Sequence, residues 1–431
     1  MFLASQKVYV VNSPALVSQI NRRQKVIDSN PPFLAVVHGK LFGFRDHDMA
    51  ELMRTTTESG TLRRDSKVLE HTLLERGMAP LNEIFTRVMS GVADRLGTMA
   101  REGSITISLE AWLREIFTLS TADGVIGSQN PFTCDPNLLD TFWRFENGIK
   151  GLTMSLFPSL RAAGPSRARQ RLVQAFTEFF QDDPTANGEI CDFLRQVAGV
   201  ARRYNRDVEY LARYFFAIFC AFLINTVPVT FWTIGHIVEN PELLARIRAE
   251  LAEVVGPMAE AEAGEPRHSF DVTAIRERCP LLMSTFNEVL RYVGASTSTL
   301  IVHEDVYIDE QYLLTKGALV QISATAIHSD PDVWGPNAAD FDPERFLKPS
   351  KVHPSANRTF GGGSTLCPGR HLAADEILVF TAMFLHTFDV EFTAETPRLP
   401  RRDDTDMLSI TKPTEDLMLR LSRRRATEKA S

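Results

Sequence analysis

Cysteine is scarce. Five residues, Cys134, Cys191, Cys220, Cys279 and Cys367, are spread over 431 positions with no CxxC pair. An odd count without paired spacing argues against a disulfide framework or a zinc knuckle. Most of the five are expected to be small buried apolar residues. Positive charge is also in deficit. Lys plus Arg is 47 against 54 Asp plus Glu, a net charge of −7. A chain that holds nucleic acid by its phosphates leans the other way, so no nucleic-acid partner is expected. Tyrosine and tryptophan are few, 7 and 4 beside 28 phenylalanines. Aromatic surface without hydroxyls suits a large core first and a lipophilic ligand second. The first seven residues lack the apolar run of a secretory signal. Internal repeats and low-complexity linkers are missing too.

The longest uncharged run, Tyr214 to Gly235, is long enough to cross a bilayer. Asn225, Thr226 and Pro228 interrupt its middle, where lipid would leave polar groups unpaired. A helix buried inside a large protein is the expectation. With 44% apolar and 23% charged residues, the composition is that of a globular protein. Length alone suggests two or three domains.

Val8–Val11 has the β-branched pattern of a strand. Ser13 and Pro14 then open a helix to about Arg23. Residues 28–45, with two prolines and two glycines, are expected to be loop. Helical periodicity follows over about 66–97, 107–122, 137–157, 165–181, 188–203, 206–238 and 241–255. An acidic loop at 256–266 precedes a helix over about 275–292. Strand-like pieces are Ser298–Val302, Val306–Ile308 and Ala318–Ser323. Residues 328–366 are rich in Pro, Gly and Asp and poorly periodic. A last helix, about Gly369–Phe388, is followed by strands near Val390–Phe392 and Leu417–Leu421. The pattern is a mainly helical body with a small β component late in the chain.

One cysteine differs from the rest. Phe360-Gly361-Gly362-Gly363-Ser364-Thr365-Leu366-Cys367-Pro368-Gly369 delivers Cys367 on a Gly-rich turn to the start of a helix. Glycine permits the tight turn and a close approach by a flat ligand. Backbone N–H groups at the helix start favour a thiolate. Phe360 supplies an aromatic shield. A charged sulfur with donors around it and little water is what a thiolate ligand to haem iron requires.

This segment matches the four fixed positions of FxxGxxxCxG, the haem-binding signature of the cytochrome P-450 superfamily, and the chain resembles that family from about Lys7 to Arg425. Glu288-Val289-Leu290-Arg291 is similar to the family's ExxR, with Glu and Arg on one helical face. Phe341-Asp342-Pro343-Glu344-Arg345-Phe346 resembles its PER segment. The resemblance implies a buried network in which Arg345 becomes a second bidentate partner of Glu288. It also implies one P-450 domain across 1–431, Cys367 as axial iron ligand, and Phe360, Gly363 and Gly369 as haem contacts.

The family's central helix usually carries A/G-G-x-D/E-T-T. Aligned on Trp232, Ala221 takes the first small position. Phe222 then falls where Gly is usual, Ile224 where the acid is usual, and Asn225 where Thr is usual; Thr226 follows. Asn225-Thr226-x-Pro228-x-Thr230-Phe231-Trp232 resembles the branch of bile-acid sterol hydroxylases and prostacyclin synthase. That branch holds monooxygenases and a reductase-independent isomerase. Asn225 and Thr226 are the catalytic candidates, and Asn225 can equally serve to patch a helix ladder broken by Pro228. Phe222 is open to a packing role. Residue 365, where the family often has Arg or His for a haem propionate, is Thr365. Leu300 takes the place of a second such Arg. His303, His71 and Arg76 are the basic alternatives.

The resemblance implies a haem-thiolate monooxygenase acting on a lipophilic molecule: a steroid, a terpenoid or another secondary metabolite. Electrons would come from NADPH through a separate P-450 reductase at the endoplasmic reticulum membrane. The alternative is a haem-thiolate isomerase or dehydratase acting on a peroxide without a reductase. A catalytically silent haem or ligand-binding protein is a third class. The pocket is expected to draw on Pro32–Phe44, Phe222, Asn225, Ser296–Leu300 and Met407–Ile410. Val8–Val11 resembles the fold's second strand, so an anchor, a first helix and a first strand are expected to be lacking.

Overall fold

The computed structural model describes residues 2–3, 6–54, 60–99, 103–154, 162–182, 190–255, 270–348, 351–396, 398–405 and 409–424. Helices dominate, and most sequence-derived elements are present. Four of the long periodic stretches are divided. Leu62–Leu73 and Ala79–Met99 replace one helix, with Gly77 between them at φ +84. Asn137–Asn147 and Ile149–Met154 part at Gly148, where a Cβ would lie 2.0 Å from Pro165 Cγ. Val272–Arg278 and Pro280–Val293 part at Cys279, because Pro280 cannot continue a ladder but opens one well. The central helix divides into Val208–Leu223 and Thr226–Glu239.

The segment expected to be loop at 28–45 is ordered. It holds a short strand Ile27–Asp28, a helical turn Asn30–Phe33 and a π-helix Leu34–Leu41. Its last carbonyls are capped from other elements. Arg169 Nη1 donates to Lys40 O at 2.9 Å and Leu41 O at 3.2 Å, and Arg213 Nη1 to Phe42 O at 3.0 Å. Periodicity alone carries no sign of such distant caps.

Gln6–Val10 runs parallel to Leu319–Ser323, which pairs antiparallel with Thr297–Val302. Ile27–Asp28 closes one edge of this sheet and Phe2–Leu3 the other. A strand therefore precedes Gln6–Val10, where none was expected. A second sheet joins Ile105–Ser108, Met418–Arg423 and Phe388–Phe392. Val306–Ile308 and Tyr312–Leu314 form a hairpin.

Phenylalanine fills the large helical core. Phe132, Phe142, Phe145, Phe176, Phe215, Phe216 and Phe219 are all buried, with Phe145 and Phe216 ring centroids 4.9 Å apart. A smaller core beneath the first sheet contains Val17, Ile20, Leu300, Val320 and Trp334. Among the described residues only Val208–Glu239 is long and apolar enough to span a membrane, and 72% of its most apolar stretch is buried in protein. It is the core helix expected from the sequence.

Candidate active site around Cys367

Cys367 lies on the turn that opens helix Arg370–Thr387. The loop before it is closed by Cys367 N–H donating to Phe360 O at 2.9 Å. Gly361 and Gly363 hold φ of +72 and +58, the left-handed region that favours glycine. A Cβ on Gly363 would also meet Asn21 Oδ1 at 2.8 Å. Gly369 caps the helix, and a Cβ there would sit 4.0 Å from the Cys367 sulfur. Phe360 packs against the large core at its edge.

The sulfur is in tension. Burial pushes the thiol pKa up, while the N–H groups of Gly369 and Arg370 and the Arg370 charge pull it down. Burial prevails, so helix position alone does not make this thiol acidic. A bound cation would tip the balance to thiolate. Of the other cysteines, Cys191 and Cys279 are buried with thiols pushed up to about 12, Cys220 is buried, and Cys134 is exposed.

The turn is held by a buried network. Glu288 and Arg291 form a two-point pair, Nε to Oε2 at 2.8 Å and Nη2 to Oε1 at 2.7 Å. Arg291 also donates to His328 O and Ala338 O, each at 2.7 Å, and to Asp340 O at 2.9 Å. Arg345 does not form the fork expected. Its Nε alone is shared between Glu288 Oε1 and Oε2, at 3.1 and 3.0 Å. Its Nη groups hold Trp334 O, Asn337 and Asp340 O instead. Asp342 N–H adds a further bond to Glu288 at 2.9 Å.

His328 joins this network to the cysteine turn, a role with no sequence signal. Its Nε2 accepts from Arg358 N–H at 2.9 Å and its Nδ1 lies 3.2 Å from Gly294 O. These partners define a neutral ring, and burial pushes its pKa down to about 4. Thr359 Oγ1 donates to Leu290 O at 2.8 Å, a second tie to the same helix.

The central helix has an unusual exposed stripe. Ala217, Ile218, Phe222, Ile224 and Asn225 are partly exposed and Ala221 is exposed, while the helix around them is buried. The spacing is one helical face. Its second half packs against Arg370–Thr387, the helix that Cys367 introduces. Asn225 lies on this stripe at the break, and its side chain makes no hydrogen bond among the described residues. It does not patch the ladder. Thr226 is buried and donates its hydroxyl to Phe222 O at 2.7 Å, not to the Ile224 carbonyl that Pro228 leaves without its ladder donor. The two catalytic candidates therefore separate, and only Asn225 has a free polar group on the open face. Phe222 packs against Phe193 with centroids 6.0 Å apart, as a packing residue would.

Of the expected pocket segments, Pro32–Phe44 packs against the first half of this helix. Phe42 stacks edge-on with Phe216 at 5.3 Å, and Phe44 with Tyr210 at 5.4 Å. Ser409 O accepts from Ala295 N–H at 2.7 Å, beside the Ser296–Leu300 segment. Met407 and Leu408 lie outside the described residues. His38 carries no signal in the sequence. It is buried among Phe33, Phe44 and Tyr214 with Nδ1 unbonded, and burial pushes its pKa down to about 3.

The basic alternatives scatter. His303 is exposed on a turn, and Leu300 is core. His71 is half-buried beside Lys67 and Arg370. Arg76 is engaged with the ring of His371 at 3.3 Å.

The cytochrome P-450 family model matches residues 207–419, which include the central helix, the network and the cysteine turn. A cytochrome P-450 monooxygenase of Hypoxylon pulicicidum is 28% identical over 397 residues, 89% of this chain and 74% of that protein. Carnosic acid synthase of Rosmarinus officinalis is 24% identical, over 93% of this chain and 82% of its own. A human 7-alpha-hydroxycholest-4-en-3-one 12-alpha-hydroxylase is 29% identical over 42% of this chain and 38% of its own. The chain belongs to the cytochrome P-450 superfamily. By class it is a cytochrome P-450 monooxygenase, and the family implies haem with a cysteine thiolate. The residues present fit such a group. A glycine turn presents one sulfur beside two N–H donors, and the helix packed on its element carries an open apolar stripe.

Proposed function

We propose that this P-450, one domain over residues 1–431, oxygenates a lipophilic small molecule of steroid, terpenoid or related secondary-metabolite type. Cys367 would hold the haem iron through its thiolate, with Phe360, Gly363 and Gly369 as haem contacts. Haem bound there supplies activation of dioxygen, whose one atom enters the substrate and whose other leaves as water, with consumption of two electrons and two protons. NADPH provides the electrons through a separate P-450 reductase, at the endoplasmic reticulum membrane. The observation that carries the reading is the placement of Cys367: a sulfur at a helix start, on a glycine turn, facing N–H groups of Gly369 and Arg370. The breadth of relatives, from a carnosic acid synthase to a 7-alpha-hydroxycholest-4-en-3-one 12-alpha-hydroxylase, supports the substrate class.

The chain's residues divide the remaining work. Glu288, Arg291 and Arg345 hold the turn. Ile224 carries no proton and Asn225, a hydrogen-bond donor but a poor acid, would orient a proton-carrying water rather than supply the proton itself. That same substitution supports the second reading, a rearrangement of a peroxide that needs no reductase.

The test is the carbon monoxide difference spectrum of the reduced protein, alongside Cys367→Ala. A thiolate-type Soret band in the first and not in the second is expected. Its absence from the native chain would sink the ligand assignment. Product formation that consumes NADPH one for one with reductase is expected next. Turnover of a peroxide substrate without reductase would favour the second reading. Asn225→Ala should lower product per NADPH roughly tenfold without loss of fold, since its amide makes no hydrogen bond among the described residues.

A further inference from the structure

Arg358 is a buried cation without an anion. Its exposure is 3%, and no carboxylate pairs with it among the described residues. Its side chain makes one hydrogen bond there, a long one from Nη2 to Ser298 Oγ at 3.4 Å. Arg291, equally buried, has Glu288 and three carbonyls. Burial of an unpaired guanidinium is costly, and folded chains carry one only where something answers it. Burial also pushes the Arg358 pKa down to about 10, with no opposing carboxylate.

The guanidinium lies against the cysteine turn. A Cβ on Gly362 would come within 2.3 Å of Arg358 Nη1, so glycine at 362 leaves it room. Ser298 Oγ, which Arg358 touches, is 3.3 Å from Thr365 Oγ1. On the same turn Lys67 Nζ donates to Ser364 O at 3.0 Å. Two cations and two hydroxyls thus gather on residues 362–365, immediately before Cys367. Position 365, where the family pattern often places a cation, holds Thr365.

We propose that Arg358 holds a haem propionate, with Ser298 and Thr365 as hydroxyl neighbours and Lys67 as a second cation on the same turn. The cation has moved from position 365 to position 358. This inference rests on the haem-thiolate reading above. The geometry assigns Arg358 a positioning role toward the cofactor and none in the chemistry.

The experiment uses the holoprotein of the native chain, Arg358→Gln and Arg358→Lys. Haem transfer to excess apomyoglobin and the propionate bending band in the resonance Raman spectrum are both measured. The Gln variant should release haem at least roughly tenfold faster, with a shifted propionate band and an unchanged thiolate-type carbon monoxide spectrum. The Lys variant should fall between, because it keeps the charge and loses the planar fork. Transfer within about twofold of the native rate overturns the proposal. So does faster transfer with an unshifted band, which would mark a role in folding alone. If the Gln variant holds too little haem to measure, the Lys variant decides by its band. A native chain without bound haem would fail the haem-thiolate reading itself, and this inference with it.

Discussion

Glu288 and Arg291 are almost fully buried, and Arg345 closes the third side of their network. Two guanidiniums share one carboxylate, and their remaining N–H groups clasp the carbonyls of residues 328–340. Removing the carboxylate strands both cations in an apolar setting. Glu288→Gln should therefore destabilise the protein by about 3–5 kcal/mol, read as a large fall in melting temperature and loss of bound haem. Arg345→Lys should cost less, about 1–3 kcal/mol, because the lysine can still meet Glu288 but cannot grip Trp334 O and Asn337 as well. Equal losses for the two substitutions would contradict this division of labour. The ExxR and PER spacings made all three residues legible. The way Arg345 distributes its donors was not, because carbonyl positions depend on the loop's path.

Among the elements, the helix pair that parts at Gly148 offers a clean test of packing. A methyl group at Gly148 would lie 2.0 and 2.3 Å from the ring of Pro165, which is rigid. A methyl group at Gly164, one residue before that proline, would meet nothing within 4 Å. Gly148→Ala should destabilise by about 1–3 kcal/mol, whereas Gly164→Ala should be neutral or stabilise by up to about 1 kcal/mol. Melting temperatures of the two variants check the contrast, and a neutral Gly148→Ala would refute it. Periodicity joined 137–157 into one helix because apolar spacing continues through the break. The break itself comes from a neighbour in space. The central helix repeats the lesson: Pro228 announced a disturbed ladder, but only the fold engaged the Thr226 hydroxyl with Phe222 O and left Asn225 on the open face.

For the whole molecule, two buried histidines, His38 and His328, and the half-buried His236 weaken the fold toward acid. Burial pushes His38 and His236 down to about 3 and His328 down to about 4. Neighbouring cations, Arg63, Arg402 and Arg291, add to the effect. Each folded pKa lies below the unfolded value of about 6.5. Their contribution is thus fully present above pH 6.5 and is lost as pH falls toward 4, where the unfolded chain binds the protons first. These histidines lower the denaturation midpoint as pH falls across that window, and Glu376, whose carboxyl burial pushes up to about 8, works in the opposite sense from pH 8 downward. His328→Gln should flatten the slope by about one proton, roughly 1.4 kcal/mol per pH unit, while lowering stability at neutral pH through the lost link to Arg358 N–H. An unchanged slope in that variant would remove His328 from the account.

The amino-acid sequence by itself determined the class of the molecule and singled out Cys367 as the sulfur proposed for the ligand. Those signals are local: a glycine turn before Cys367, a Glu and an Arg one helical turn apart, and apolar periodicities that count helices. Chemistry that depends on neighbours along the chain is written in the chain. The tertiary structure decided the rest. It ordered the Pro32–Phe44 segment through Arg169 and Arg213, tied the cysteine turn to the network through His328, and left Arg358 buried with no carboxylate partner among the described residues. Each of these joins residues dozens to more than a hundred positions apart. Burial and long-range hydrogen bonds exist only once the chain has packed, and no spacing along the sequence encodes them.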